Sequence, residues 1–249
     1  MKKLENQGFT NETFFDDNDN SFVKVKHFDS FNHKTPYEIV NKLNFVPKLI
    51  YEDNNTLKTD WISGKAILPN LITENQLKEI GRMLITLHNS KLKFAKENQI
   101  ARRFKIYREK MSSLNRKIPV LDKYYKKLNL FIKNIDTSAP VHNDLWLFNF
   151  IQTDKKIILT DWEYATMGDV HFDLAYFIES SNLNANQEKI FLEAYGDDFE
   201  EKYLLVHKII VNALFILWNE AHEIMPIDDK MYVGRVDKYM KLYLDKYKI

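Results

Sequence analysis

Apolar residues along this chain change their rhythm once, near residue 70. Before that point short apolar runs alternate with polar turns. Phe14 and Phe15, the turn Asp16 to Ser21, then Phe22 to Lys26 spell one β-hairpin, and Lys48 to Tyr51 with Leu57 to Ile62 across Asp53-Asn54-Asn55 spell another. Pro36 to Val40 reads as a short helix with proline in its first turn. From Thr73 the period becomes helical: Leu77, Ile80, Leu84 and Leu87 recur three or four apart, behind a capping box of Thr73 and Gln76. Helical stretches follow over residues 97–114 and 120–135. Asp136 to Pro140 breaks the pattern, and from Asp169 the chain is helical almost to its end. The pattern predicts an α+β protein, with a small antiparallel β-sheet lobe over residues 1–64 and a larger helical lobe over 65–249.

Between the helical stretches lies a segment that packing does not explain. His142-Asn143-Asp144 is followed, after four residues, by Asn149. Next come Phe150 and Ile151, the turn Thr153 to Lys156, the apolar run Ile157 to Leu159, and then Asp161-Trp162-Glu163. A hairpin over these residues brings Asp161 back beside Asp144 and Asn149. A lone aspartate after a strand is usually a cap or turn residue, but these three together form a set of oxygen ligands. Phosphoryl transfer from a nucleotide requires a carboxylate to orient or deprotonate the attacking hydroxyl, with an amide oxygen and a second carboxylate to hold magnesium. Asp144 is assigned the first role, and Asn149 and Asp161 the second.

At the same residues the sequence resembles a known family. The loop His142 to Asn149, the run Asp161 to Ala165 and the later Asp169-x-x-x-Asp173-Leu174-Ala175 are similar to the choline and ethanolamine kinases. These belong to a larger group that includes the aminoglycoside phosphotransferases and has a two-lobed protein-kinase-like fold. Glu163 and Tyr164 lean toward the choline-kinase branch. The resemblance implies ATP and Mg2+ as cofactors. Gly8-Phe9-Thr10-Asn11 matches a phosphate-covering turn, so Gly8, Thr10 and Asn11 are expected at the nucleotide. Lys24 matches the strand cation that holds the phosphates, with Lys26 as the alternative register and Glu38 as the expected helix partner. Trp61 and Ile62 stand at the hinge, where a kinase backbone meets adenine. For the acceptor, Phe215 and Trp218 resemble an aromatic pair that boxes a quaternary ammonium, while Tyr164 and Glu179 match one aromatic and one anionic position of that pocket. His142 and Asp173 are expected to brace the catalytic loop rather than to react, and His171 is likewise structural.

Composition narrows the alternatives. The chain has 249 residues, enough for a substantial core, and a formal net charge of only +1, which announces no nucleic-acid partner. It has no cysteine, which excludes disulfides and thiolate metal sites. The start MKKLENQGFTNE has no apolar segment after its charges and does not read as a signal peptide. The most apolar run, Ile209 to Trp218, is too short to span a bilayer. A cytoplasmic enzyme is expected, taking ATP and a small-molecule acceptor, with no nucleic-acid partner and no membrane insertion. Choline is the expected acceptor. Ethanolamine, thiamine or an aminoglycoside would serve the same chemistry, and a nucleotide-binding pseudokinase scaffold is opposed by the intact set Asp144, Asn149 and Asp161.

Overall fold

The computed structural model describes residues 1–4, 11–97 and 99–247. The expected residues Gly8 and Thr10 lie outside these. In chain order the first strands are β1 (Lys2–Lys3), β2 (Glu12–Asp16) and β3 (Ser21–Val25). A four-residue helix α1 (Tyr37–Val40) leads to β4 (Leu49–Glu52) and β5 (Thr56–Asp60). The five strands form one antiparallel sheet in the order β1-β2-β3-β5-β4. Phe14 pairs with Val23 and Phe15 with Phe22 across the first hairpin, so β3, which carries Lys24, is the central strand. Glu52 accepts the first free N–H of α1, at Tyr37, with a bond of 2.8 Å. That contact ties the short helix to the sheet edge.

Residues 61–64 lead out of the sheet into β6 (Lys65–Ala66). Gly64 is needed there for close approach. A Cβ at this position would stand 2.5 Å from the carbonyl oxygen of Gln152 and 2.7 Å from Cγ2 of Ile151. The helical part opens with α2 (Glu74–His88), whose capping box is formed: Gln76 N donates to Thr73 Oγ1, and Thr73 N donates to Gln76 Oε1 at 2.9 Å. Leu77, Ile80, Leu84 and Leu87 are fully buried along its inner face. Next come α3 (Ile100–Ser113), α4 (Pro119–Lys123) and α5 (Tyr125–Lys133). The sequence predicts one helix over the last two. The chain departs from helical dihedrals at Tyr124 (φ −102°, ψ 11°), whose hydroxyl donates to Asp237 at 2.9 Å.

The stretch read as a break is in part a strand, β7 (Ala139–Val141). Three residues with a central proline carry no alternating signal, and the strand is defined by a distant partner. After it come the hairpin β8 (Phe150–Gln152) and β9 (Ile157–Leu159), then β10 (Thr166–Gly168), which pairs with β7. β6 pairs with β8, so the link over residues 61–64 leads onto the hairpin that follows the loop His142 to Asn149. Four helices complete the chain: α6 (Val170–Ser180), α7 (Ala185–Tyr195), α8 (Glu201–Glu220) and α9 (Lys230–Tyr247). Among the described residues α8 is long and apolar enough to cross a membrane, which corrects the reading from Ile209 to Trp218 alone, but 83% of its apolar window is buried inside the protein. It is the central core helix, packed on α6 and α9.

Gly64→Ala tests the hinge contact. Overpacking against backbone should cost about 1–3 kcal/mol, read as a lowered midpoint of thermal unfolding. An unchanged midpoint would show that the hinge does not need its close approach to β8.

Candidate active site

The candidate catalytic loop is built on one buried carboxylate. β7 ends at Val141, and the next two backbone N–H groups, of His142 and Asn143, donate to Oδ2 and Oδ1 of Asp173, each at 2.8 Å. Asp173 lies in the first turn of α6 and is fully buried. His88 stands 3.2 Å from its Oδ2. His142 Nε2 lies 3.0 Å from the carbonyl oxygen of Thr160. A carbonyl only accepts, so this nitrogen carries the proton, and Nδ1 is left to accept from Asp144 N at 3.3 Å. Burial pushes the His142 pKa down and keeps the ring neutral. Asn143 takes the left-handed conformation (φ 66°) and donates to Tyr164 O at 3.0 Å and to Thr166 Oγ1 at 2.9 Å. The loop is thus fixed from both sides before any ligand arrives.

Asp144, Asn149 and Asp161 converge on this frame. The Asn149 amide donates to the carbonyl of Asp144 at 2.9 Å. The N–H and hydroxyl of Thr160 both donate to Asn149 O, at 2.9 and 3.0 Å, which sets the neighbouring Asp161 beside Asn149. Asp161 is itself left-handed (φ 62°), a strained conformation for a residue with a Cβ. A carboxylate and an amide oxygen held together are hard donors of the kind magnesium takes. The chemistry of the donor set therefore fits the ion.

Lys24 reaches from β3 and pairs with Asp161 Oδ1. Burial works against its charge, but Asp161, Glu163 and Asp144 outweigh burial and raise the ammonium's pKa. Asp161 responds in the opposite sense: burial raises its pKa, and Lys24 overcomes this and holds the carboxyl below its usual range. Among the described residues no cation pairs directly with Asp144, and the charge of Arg103 is the smallest of the influences on it. Burial first, and then the charge of Asp161, push its pKa up to about 7, while the hydroxyl of Tyr176, donating to its Oδ1 at 2.6 Å, pulls the other way. One carboxylate is therefore held ionised and the other poised near neutrality, the condition that suits a group which must take a proton.

One expected residue of the nucleotide side sits differently. Glu38 is exposed on α1, and the ion-pair partner of Lys24 is Asp161. The helix is only four residues long, and its one sheet-facing carboxylate contact comes from Glu52, which also pairs with Lys26 at 2.8 Å. Asn11 does not turn outward: its amide donates to Glu163, and its oxygen accepts from His27 N at 2.9 Å. Trp61 packs edge-on against Phe15 with centroids 4.9 Å apart, and Ile62 follows it in the link toward β6. His171, expected to be structural, lies in a buried cluster in which its Nδ1 is 2.6 Å from Asp169 and its Nε2 accepts from the backbone N–H of Glu200 at 3.0 Å.

The acceptor side shows the largest departure. Glu179 is 1% exposed, and both of its oxygens are already engaged, Oε2 by Asn212 at 2.9 Å and Arg235 at 3.1 Å, Oε1 by Tyr239 at 3.0 Å and Lys208 at 3.9 Å. It ties α6, α8 and α9 together and is not an open anionic subsite. Tyr164 donates to Asp29 at 2.6 Å, and the guanidinium of Arg103 lies over its ring at 4.7 Å. Phe215 is buried in an aromatic cluster with Trp146 (5.0 Å), Tyr176 (4.9 Å) and Tyr232 (5.1 Å). Trp218, three residues on, meets His222 edge-on at 4.9 Å. Arg103, Trp146, Tyr176 and Tyr232 were not marked by the sequence. Trp146 lay inside the recognised loop and Tyr176 three residues after Asp173, so their nearness to Asp144 had a signal. Arg103 and Tyr232 had none.

A protein-family model described as the phosphotransferase enzyme family matches residues 41–205. The chain is 65% identical over 241 residues to a protein LicA homolog of Metamycoplasma hominis, covering 97% of each. It is 40% identical over 240 residues to a protein LicA homolog of Mycoplasma capricolum subsp. capricolum, covering 96% and 98%. Its fold is similar to the crystal structure of choline kinase LicA from Streptococcus pneumoniae, with a TM-score of 0.72 at 22% identity over 98% of this chain and 95% of that one. A spectinomycin phosphotransferase shares the fold at a TM-score of 0.63 and 13% identity, over 97% of this chain and 88% of that one.

Asp173→Asn tests the frame. The new amide places a donor against one of two backbone N–H groups, and each buried donor left unsatisfied costs about 1–3 kcal/mol. Denaturant unfolding should show a loss of at least that size, with turnover reduced in the protein that remains folded. Wild-type stability and turnover would remove Asp173 from this role.

Proposed function

The chain belongs to the phosphotransferase enzyme family, and on that premise we propose that it moves the γ-phosphate of ATP to the hydroxyl of a small amino alcohol, with choline the preferred acceptor. The observation that carries this reading is the convergence of Asp144, Asn149, Asp161 and Lys24, with the aromatic cluster of Trp146, Tyr176, Phe215 and Tyr232 joined to Asp144 through the Tyr176 hydroxyl. The named choline kinase of the same fold supports it.

Asn149 and Asp161 would hold magnesium, which neutralises charge on the phosphates when bound. Lys24 places a further positive charge beside them. Asp144 accepts the proton of the acceptor hydroxyl as that oxygen forms its bond to the γ-phosphorus and the bridging bond to ADP breaks. Tyr176 holds one oxygen of Asp144, which leaves the other to face the hydroxyl. Catalysis then consists of position and electrostatics, since phosphoryl transfer needs little else from the protein.

The choice of choline follows from what surrounds Asp144. Ethanolamine has N–H donors that need a carboxylate, and the candidate carboxylate Glu179 is spent on Arg235, Lys208 and Asn212. A quaternary ammonium has no donors and is held by aromatic faces, roughly 2 kcal/mol each when desolvated. A polycationic aminoglycoside is disfavoured by the buried cation Arg103, whose charge is felt at Asp144.

An acceptor panel of choline, ethanolamine, thiamine and kanamycin, assayed by ADP release, should give the highest kcat/KM with choline. Asp144→Ala and Asp161→Ala should each lower turnover by about 10²-fold or more, with only Asp161→Ala altering the magnesium dependence of ATP binding. Activity with none of the panel, from folded protein, would defeat the reading. The pH profile offers a separate check. With Asp144 active as the ionised base and its pKa near 7, kcat/KM should be full above that value and fall as the pH drops through it. Tyr176→Phe removes a hydrogen bond that favours the ionised form, so the fall should move to higher pH. A profile flat from pH 5 to 9 would contradict the assignment of Asp144.

A further inference from the structure

One turn before Asp173, where α6 begins, lies a buried group that the proposed reaction does not use. Asp169, His171 and His207 are 7%, 7% and 2% exposed, and one ligand atom from each lies within 4.8 Å of the others. Asp169 caps α6: its Oδ1 accepts from His171 N at 3.0 Å and stands 2.6 Å from His171 Nδ1, while its Oδ2 accepts from Asp136 N at 3.2 Å. His207 reaches the group from α8. Its Nδ1 is 2.8 Å from the carbonyl oxygen of Tyr203, which only accepts, so that nitrogen carries the proton and in the neutral ring Nε2 keeps a bare lone pair. Among the described residues Nε2 has no hydrogen-bond partner, yet it stands 3.3 Å from Asp169 Oδ2. A buried lone pair facing a carboxylate oxygen is unfavourable unless a positive charge lies between them.

The spacing indicates which charge. Two ligand atoms bonded at about 2.0–2.1 Å to one tetrahedral zinc stand about 3.4 Å apart, and the separation of 3.3 Å between His207 and Asp169 matches this. A metal-binding histidine also donates its other N–H to a carbonyl or carboxylate, which fixes its tautomer and direction. His207 already does so. His171 needs one exchange: its proton passes from Nδ1 to Nε2, which gives up the bond from Glu200 N and donates instead to Glu200 Oε2, now 3.5 Å away. Nδ1 is then free to turn from Asp169 to the ion, with no net gain or loss of protons.

We propose that Asp169, His171 and His207 bind a divalent transition ion of the zinc type, at a site separate from the set Asn149 and Asp161 proposed for magnesium. Two imidazoles and a carboxylate suit zinc, cobalt or nickel, whereas magnesium takes oxygen donors. The ion joins the start of α6 to α8, one turn before the carboxylate that holds the candidate catalytic loop. Its role is to brace that frame, whichever acceptor is phosphorylated.

The test uses untagged protein, stripped with a chelator and then kept in saturating ADP and magnesium so that the oxygen site is filled. Titration with Co2+ should give the visible absorption of a tetrahedral nitrogen–oxygen site, saturating at one equivalent per chain. Zn2+ should displace it and raise the midpoint of thermal unfolding. His207→Gln and His171→Gln should each weaken Co2+ binding roughly tenfold or more, while His222→Gln, outside the cluster, should leave it unchanged. X-ray absorption at the zinc edge of the wild type needs no variant, and should show two imidazoles and an oxygen at about 2.0–2.1 Å. A shell of oxygens alone, or equal binding by wild type and His207→Gln, would overturn the site. So would no binding in the presence of magnesium, which would make the charge between His207 and Asp169 a proton.

Discussion

A single buried carboxylate fixes the geometry on which the rest of this site depends. Asp173 has no access to water, and its charge is tolerable only because two backbone N–H groups and His88 surround it. Those N–H groups belong to His142 and Asn143, so satisfying the carboxylate sets the path of the chain immediately before Asp144. Removing either side of this arrangement leaves polar groups stranded in the core. The left-handed backbone at Asn143 and at Asp161 persists for the same reason, since the surrounding hydrogen bonds over-determine it. Rigidity of this kind matters for a reaction in which the protein contributes mainly position.

Across the site the sheet and the helical part meet through charge. Lys24, on the central strand, carries its ammonium to Asp161 on the far side of the hinge, and Asn11 and His33 reach Glu163 from the same direction. Apolar packing joins the two parts as well: Phe45 lies against Trp162 with centroids 6.4 Å apart, and Phe31 against Tyr107 at 6.0 Å. The ion pairs also explain why the pKa values of Asp144 and Asp161 separate: Lys24 bonds Asp161 directly, while the charge of Arg103 offsets little of what raises Asp144. Two like carboxylates in one cleft acquire different chemistry from their neighbours rather than from their own structure.

Much of this was legible in the sequence because its signals are local. The hairpin around Lys24, the capping box at Thr73 and the hairpin that returns Asp161 toward Asp144 are each encoded within a few residues. The spacing of Asp144, Asn149 and Asp161 carried the expectation of phosphoryl transfer. What was missed depends on partners far along the chain. β7 and β10 are three residues each and exist only as a pair. Glu38 was expected to pair with Lys24 by analogy of position, but the ion pair is decided by which carboxylate the fold brings to the strand. Glu179 looked like a binding group because nothing in the sequence announced that Arg235 and Lys208 would reach it. Arg103, on a helix some forty residues before the catalytic loop, had no sequence sign of its place over Tyr164.

The central claim is that the cleft transfers phosphate to a choline hydroxyl, and the most direct measurement is identification of the product. Purified protein with ATP, magnesium and choline, followed by phosphorus NMR and mass spectrometry, should yield phosphocholine and ADP in equal amounts, with no excess of inorganic phosphate. Release of inorganic phosphate in place of phosphocholine, or ATP left intact, would contradict the account.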